Sequence, residues 1–367
     1  MSGSIYGKLF SISTWGESHG PGIGVVVDGC PAGLSMNEDI IQAYLNRRKP
    51  GQTPYSTPRK EGDRVSILSG VFEGFTTGTP ISLIVYNENQ RSSDYSEIAG
   101  YYRPGQADFT YDAKYGFRDY RGSGRASGRE TIGRVAAGAI AKSILKELGV
   151  EVCAYTKAIG PISINYNNCS KDNILKNPFS MPDMNAAQEA EAYLIKKMEE
   201  EDSVGGLIEC LITGLPAGIG EPVFEKLDAV LARGLMSIGA IKGVEIGDGF
   251  KVATYSGSEN NDSLFYDEKL GIVKSSNHAG GILGGISDGS EIVLRAAVKP
   301  TPSIAKTQKT INKNNGNIEI NIKGRHDPII VPRAVVVVEA MAAITLVDYL
   351  FQNMTSRMDR VKEFYKK

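Results

Sequence analysis

Three clusters in the 367-residue chain carry side chains able to move protons or hold phosphate. The first is Trp15-Gly-Glu-Ser-His-Gly20, where His19 stands among Gly16, Gly20, Gly22 and Gly24. Glycines let a ligand approach the backbone closely, and a histidine, with an unperturbed pKa of about 6.5, delivers protons near neutral pH. The chain has only three, His19, His278 and His326, each in a glycine-containing motif. The second cluster, residues 101–134, holds six Arg and one Lys against four acids in an otherwise neutral protein. Arg121-Gly-Ser-Gly-Arg125 runs into a predicted helix start, where free N–H groups and bidentate arginines suit a phosphorylated small molecule. An exposed basic loop or a weak RNA-binding patch is the bland alternative, and Ser127 also reads as a plain N-cap. The third cluster joins the glycine-rich run 276–285, Lys299-Pro-Thr-Pro-Ser303 and Gly324-Arg-His-Asp-Pro328. Its Asp327 reads equally as a functional side chain or as a helix cap before Pro328.

The elements that must position these clusters repeat. Gly-x-Pro-Ala-Gly between a β-type run and a helix occurs at Gly29 and again at Gly214, an offset of 185 residues. Gly124-Arg125 and Gly324-Arg325 each precede a long apolar helix, and Arg103-Pro104 corresponds to Lys299-Pro300, with offsets of 200 and 196. Three landmarks in one order predict a duplicated unit, one composite domain over 1–367 with halves of about 1–185 and 186–367. Helices are expected over 40–45, 132–148, 185–201, 223–231 and 334–350. Ser35-x-x-Glu38 and Ser127-x-x-Glu130 read as capping boxes, Gly149 as a helix stop and Pro332 as a first-turn proline. Strands are expected over 24–27, 65–68, 81–85, 207–212 and 292–298. Strands and helices without strict βαβ alternation indicate an α+β fold. The long segments 87–130 and 257–289 are expected to form walls of the site.

Composition excludes several classes. With 41 Lys+Arg against 42 Asp+Glu, the formal charge of −1 argues against a nucleic-acid coat. Cys30, Cys153, Cys169 and Cys210 form no C-x-x-C pair, which argues against a zinc site and a disulfide scaffold and fits a reducing cytosol. No metal is expected. Nor is a signal peptide or a membrane span, because Glu339 and Asp348 interrupt the most apolar stretch. A cytoplasmic protein with no nucleic-acid or membrane partner is the expectation. The 42 glycines, about 11% against a usual ~7%, point to many tight turns.

Gly16-Glu-Ser-His-Gly20, Gln90-Arg-Ser-Ser-Asp-Tyr95, Arg103-Pro-Gly, Lys114-Tyr-Gly, Arg118-Asp-Tyr-Arg-Gly, Lys242-Gly-Val-Glu-Ile-Gly247, Ser276-Asn-His-Ala-Gly-Gly281, Lys299-Pro-Thr and Gly324-Arg-His-Asp-Pro328 occur in this order. Together they resemble the chorismate synthase family along essentially the whole chain. The resemblance implies an α/β sandwich, helices packed between sheets and internally duplicated, assembled as a homotetramer. It implies a lyase that converts 5-enolpyruvylshikimate 3-phosphate to chorismate and phosphate. This 1,4-anti elimination needs reduced FMN without net redox change, with NADPH a candidate source of the reducing equivalents. Reduced flavin would donate electron density as the C–O bond breaks and accept the C6 hydrogen at N5.

By the same resemblance, His19 is the acid that protonates the departing phosphate and Asp327 the base that relays the proton away. FMN contacts are expected from Arg125, Ala126, Ser127, Gly239, Ala240, Gly284, Lys299, Pro300, Thr301, Pro302, Ser303 and Arg325. Arg48, Ser18, Arg103 and Arg129 are expected beside the substrate or NADPH. The chain departs from the family pattern at Ala126, Gly239 and Pro54, where Ser, Asn and Arg are common. Most consequentially, Gln106 stands where the family carries a catalytic His. A Gln cannot supply a cation to the reduced flavin, so slow turnover is expected unless an Arg of 118–129 compensates. The rival readings are a flavin-dependent oxidoreductase on a phosphorylated substrate, an RNA-binding protein using residues 118–134, and an FMN-binding paralogue impaired by Gln106.

Overall fold

In the computed structural model, residues 3–51, 53–56, 61–88, 97–322 and 327–366 are described. Two five-stranded antiparallel sheets enclose helices. The first sheet comprises β1 (Ile5–Tyr6), β2 (Ser11–Gly16), β3 (Gly22–Asp28), β4 (Val65–Ile67) and β7 (Ile81–Tyr86), ordered β1-β2-β3-β7-β4. A small hairpin, β5 (Val71–Phe72) with β6 (Phe75–Thr76), precedes β7. The second sheet comprises β8 (Glu151–Ile159), β9 (Ile162–Ser163), β10 (Gly206–Thr213), β11 (Ile241–Ile246) and β16 (Ile292–Val298), ordered β11-β16-β10-β8-β9. Between β11 and β16 lie the hairpins β12 (Leu264–Asp267) with β13 (Gly271–Lys274) and β14 (Ile282–Leu283) with β15 (Ile286–Ser287). A last hairpin pairs β17 (Gln308–Ile311) with β18 (Asn317–Ile320).

The helices are α1 (Glu38–Arg48), α2 (Asp108–Tyr115), α3 (Thr131–Glu147), α4 (Met184–Glu199), α5 (Leu227–Met236), the short α6 (Gly257–Asn260), α7 (Val331–Asn353) and α8 (Met358–Phe364). α3 packs on β2, β3 and β7, and α1 on β4. α5 packs on β11, and α7 on β8 and β10. The layers are therefore sheet, α1 and α3, α5 and α7, sheet. A helix with sheet on one side and helix on the other buries its whole circumference, which is why α3 and α7 read as almost unbroken Ala, Val, Ile and Gly. α3 and α7 approach so closely that a Cβ on Gly138 would lie 2.3 Å from Cβ of Ala340.

α7 has the length and composition to cross a membrane, but it lies inside this sandwich. Its two acidic residues are both used there. Glu339 binds Arg47 of α1 at 2.7 Å, Lys142 of α3 at 3.0 Å and the Ala154 N–H of β8 at 3.0 Å. Asp348 accepts the backbone N–H groups of Lys8, Leu9 and Phe10.

The order strand, strand, helix, strand, hairpin, strand, helix is traversed twice: β2-β3-α1-β4-(β5-β6)-β7-α3, then β8-β10-α5-β11-(β14-β15)-β16-α7. The corresponding strands hold corresponding places in the two sheets. The second pass begins at Glu151, so a division near residue 185 cuts through the second sheet, with α4 inserted between β8 and β10. The expected helices and strands form with shifted ends, whereas β8, β11 and α2 lie where no element is expected from the sequence.

Neither expected capping box forms. Asn37 caps α1, accepting from Ile40 N–H at 3.0 Å, and Glu38 accepts instead from Ile67 N–H. Ser127 accepts from Arg129 N–H at the start of a 3₁₀ turn, and the Glu130 carboxylate is taken by Arg134 one helical turn later. Gly149 does end α3, in the left-handed conformation, and Pro332 occupies the first turn of α7.

Candidate active site

The loop after β2, the end of α1, the 3₁₀ turns before α3, the end of α5, the segment after β16 and the start of α7 converge on one cleft of about 1030 Å³. It is lined by His19, Arg48, Arg103, Gln106, Arg125, Ala126, Ser127 and Arg129 from the first pass, and by Gly239, Ala240, Lys299, Thr301, Pro302, Ser303 and Asp327 from the second. Ser18 lies behind His19, buried. Pro300 is turned away from the cleft beside Gly205, and Gly284 sits at the turn of the β14–β15 hairpin, outside the lining. Arg325 and His326 lie outside the described residues, as does Gln90-Arg-Ser-Ser-Asp-Tyr95. Of the two expected walls, residues 98–130 border the cleft and 257–289 do not. The glycine-rich run there wraps a carboxylate: Asp262 accepts from Ser276 Oγ and from the N–H groups of His278 and Ala279. Burial acts to raise the Asp262 pKa, but these bonds and Lys274 bring it down to about 2.

His19 is 5% exposed, and its Nδ1 lies 3.1 Å from Ser18 Oγ. That hydroxyl donates to the Gly122 carbonyl at 3.3 Å, so it accepts from Nδ1–H, and this pairing assigns the tautomer. Gly122 has φ +65°, and a Cβ there would lie 2.3 Å from His19 Cε1. Only glycine lets the loop close over the imidazole. The next residue, Ser123, holds φ +76°, and across the cleft Ala240 holds φ +73°. Non-glycine residues in this region cost about 1–3 kcal/mol and cluster at functional sites. Ser123 is held by Arg103, whose guanidinium forks onto Asp108 at 2.8 Å and reaches Ser123 Oγ at 2.8 Å. Arg103 thus supports the His19 loop from the cleft lining, with its Nε and Nη2 engaged.

Among the described residues, eight Lys and Arg side chains line the cleft against two carboxylates, Glu130 and Asp327. Arg48 is 1% exposed and binds Asp63 at 2.5 Å, and Arg129 binds the same carboxylate at 3.1 Å. Burial lowers the Arg48 pKa to about 10, against the pull of Asp63, so it remains a cation at neutral pH. For Asp63 burial acts upward, and Arg48 and Arg129 overcome it to hold the carboxyl below its usual range. Arg125 spends its guanidinium on β2, donating to the Gly16 and Thr14 carbonyls and to Thr14 Oγ1, with no carboxylate in that set. Lys299 donates to the Gly105 carbonyl at 2.7 Å, and Gln106 Nε2 to Ser303 Oγ at 3.2 Å. Burial and then Lys242 lower the Lys299 pKa. Asp327 accepts from Arg333 at 2.8 Å. Three buried polar atoms on the lining residues, Arg48 Nε, Arg129 Nη2 and Thr301 Oγ1, have no hydrogen-bond partner among the described residues. Such orphans are costly unless a ligand satisfies them.

Arg118 and Arg129, central to an RNA-binding reading, are buried rather than displayed. Arg118 binds Asp108, Asp112 and the Ile98 and Tyr101 carbonyls. Sequence reasoning did not single out Asp63, Lys242 as a lining residue, or Arg333. Asp63 carried no motif, Lys242 lay inside a quoted motif without a role, and Arg333 looked like the polar start of an apolar helix.

The family model described as chorismate synthase matches residues 10–351. A chorismate synthase of Lachnoclostridium phytofermentans is 68% identical over 367 residues, all of both chains, and one of Lachnospira eligens is 65% identical, also over all of both chains. One of Methanocaldococcus jannaschii is 53% identical, covering 95% of this chain and 96% of its own. A crystal structure of chorismate synthase superposes with a TM-score of 0.77 at 31% identity, covering 98% of this chain and 96% of that one. The chain belongs to the chorismate synthase family.

Proposed function

We propose that this chain eliminates phosphate from 5-enolpyruvylshikimate 3-phosphate to give chorismate, the last step of the shikimate pathway, with His19 and Asp327 as its proton-handling pair. The observation that carries this reading is that both border one strongly cationic cleft, each contributed by a different pass of the chain. A departing phosphate needs a proton and neighbouring positive charge. With Nδ1–H donated to Ser18, the transferring atom of His19 is Nε2, which carries a proton to give when the ring is in its imidazolium form. Arg48 and Arg129 are held by Asp63, with Glu61 3.8 Å from Arg129, and the positive charge for an anionic substrate comes from the cleft's lining as a whole. Asp327, oriented by Arg333, takes the basic role.

The cleft fits a second anionic partner as well: it has the room, the unpartnered donors, and open space beside Gly239, where a Cβ would meet nothing within 4 Å. Arg125, Ala126, Ser127, Gly239, Ala240, Lys299, Thr301, Pro302 and Ser303 would hold FMN. The chemistry that reduced FMN supplies when bound is electron density toward the ring as the C–O bond breaks. NADPH is the proposed source of its reducing equivalents. Lys299, bonded to the residue beside Gln106, provides the cation that Gln106 cannot, with no need of an Arg from 118–129. The single composite domain of two related halves is supported by the repeated strand and helix order. A homotetramer is supported by the exposed apolar side chains of β12–β13, Leu264, Tyr266, Leu270 and Ile272. A cytoplasmic location agrees with four unpaired cysteines.

Anaerobic assays with dithionite-reduced FMN, following chorismate absorbance, test the reading. Chorismate formed with a catalytic quantity of flavin is the expected result. Product formed only with stoichiometric NAD(P)H consumption would establish the oxidoreductase instead.

A further inference from the structure

The end of α1 directs two consecutive arginines into different spaces. Arg48 lines the main cleft, whereas Arg47 lines a second cavity of about 370 Å³. Lys49, Lys176 and Arg333 border that cavity too, and no carboxylate does among the described residues. Arg47 and Arg333 have carboxylate partners, Glu339 and Asp327, but neither acid faces this space. Lys176 is exposed, and its side chain has no hydrogen-bond or ion-pair partner among the described residues.

Two aromatic residues also border this cavity. Tyr55 and Phe179 lie with ring centroids 5.4 Å apart and planes tilted by 30°, and Phe179 is fully buried, so this wall is fixed by packing. An inorganic anion would leave the aromatic wall unused, and an uncharged ring would leave the cations unused. We propose that this second cavity binds a small carboxylate carrying one ring, its charge toward Lys176 and Arg333 and its ring on Tyr55, which Phe179 backs. We propose also that its occupancy is felt in the main cleft through Arg333.

Arg333 lines both cavities and connects them through two hydrogen bonds at the main cleft. Its Nη1 donates to Asp327 Oδ2 at 2.8 Å and its Nε to the Arg48 carbonyl at 3.0 Å. A carboxylate entering the second cavity competes with Asp327 for the same guanidinium, so turnover falls as the cavity fills. Such coupling is reciprocal for binding: ligands in the main cleft that draw Arg333 to Asp327 weaken the second site equally. The coupling rests on the role of Asp327 proposed above, whereas the binding does not.

A ¹⁹F NMR titration of the full chain with 4-fluorobenzoate tests the site, with 4-fluorobenzyl alcohol and inorganic phosphate as the other arms. Fluorobenzoate should give a saturable shift, the alcohol none, and phosphate should not displace fluorobenzoate. Lys176→Glu should weaken binding by about tenfold or more, the scale of one lost charge-assisted hydrogen bond. Thr53→Trp, which narrows the cavity, should abolish binding, while Lys242→Ala in the main cleft should leave it unchanged. Both second-cavity variants should keep native turnover and lose its inhibition by fluorobenzoate. Native-like binding in both Lys176→Glu and Thr53→Trp would overturn the site. Displacement by phosphate would overturn its preference for a ring. Binding that leaves the turnover number untouched would overturn the coupling through Arg333. A chain that forms no chorismate would refute the function above, while the binding arms would still decide the site.

Discussion

At the scale of single residues, the site is built by restraint. His19 is held between Ser18 and a glycine that tolerates no side chain. Gly122→Ala would place a methyl group 2.3 Å from Cε1, and the imidazole must move to accommodate it. A displacement of about 1 Å at a reacting group can cost about 10²-fold. We therefore expect Gly122→Ala to lower kcat by about that factor while substrate affinity, read by calorimetry, stays within about threefold. A second prediction concerns the cation beside Gln106. If Lys299 supplies it, Lys299→Met should lower kcat by about tenfold or more, and Gln106→His should change it by less. Steady-state kinetics of the two variants side by side check this. A large gain in Gln106→His would return position 106 to the role its family pattern implies.

The same residues show what a sequence discloses. His19, Ser127, Asp327, Lys299 and residues 301–303, all in the cleft lining, stood out in the sequence because glycine-rich and arginine-rich runs are short and local. Arg103 was legible in its motif, but its bonds to Asp108 and Ser123 were not, because those residues become its neighbours only when the loop folds. Asp63 was invisible for the same reason: its significance lies in two arginines, 15 and 66 residues away.

At the scale of elements, α3 and α7 set the distance between the two halves. Periodicity located both helices, since unbroken apolar runs of that length are helical wherever they are buried. It could not locate β8, whose alternation is blurred because Tyr155 and Lys157 on its outer face join the Glu209 cluster. Nor could it predict the caps, which depend on competition: Glu130 serves Arg134 rather than Ser127. The crossing of α3 and α7 gives the clearest element-scale prediction. Gly138→Val forces side-chain atoms into Ala340 and should destabilise the fold by about 2–3 kcal/mol, the upper end of ordinary overpacking. Urea unfolding at neutral pH checks it. A variant as stable as the native chain would show that the helices can separate without loss.

At the scale of the whole molecule, Glu339 links three layers, touching α1, α3 and β8 from its place on α7. Burial acts to raise its pKa, but Lys142 and Arg47 overcome that and hold the carboxyl below its usual range. A depressed carboxyl contributes stability that is complete above the unfolded value of about 4.3 and is lost as the pH falls through the folded value. Native stability should therefore fall in acid below about pH 4, and Glu339→Gln should cost about 3 kcal/mol at pH 7 and flatten that acid dependence. Denaturant titrations at several pH values read both effects.

The central claim is that one active site is assembled from two passes of the same fold, with His19 from the first and Asp327 from the second acting on one substrate. Anaerobic single-turnover rates of chorismate formation with reduced FMN, for the native chain, His19→Ala and Asp327→Asn, test it most directly, with substrate binding measured separately. Each variant should lose about 10²–10⁴-fold in rate, the range for a removed general acid or base, while still binding substrate. Either variant forming chorismate at the native rate would contradict the account.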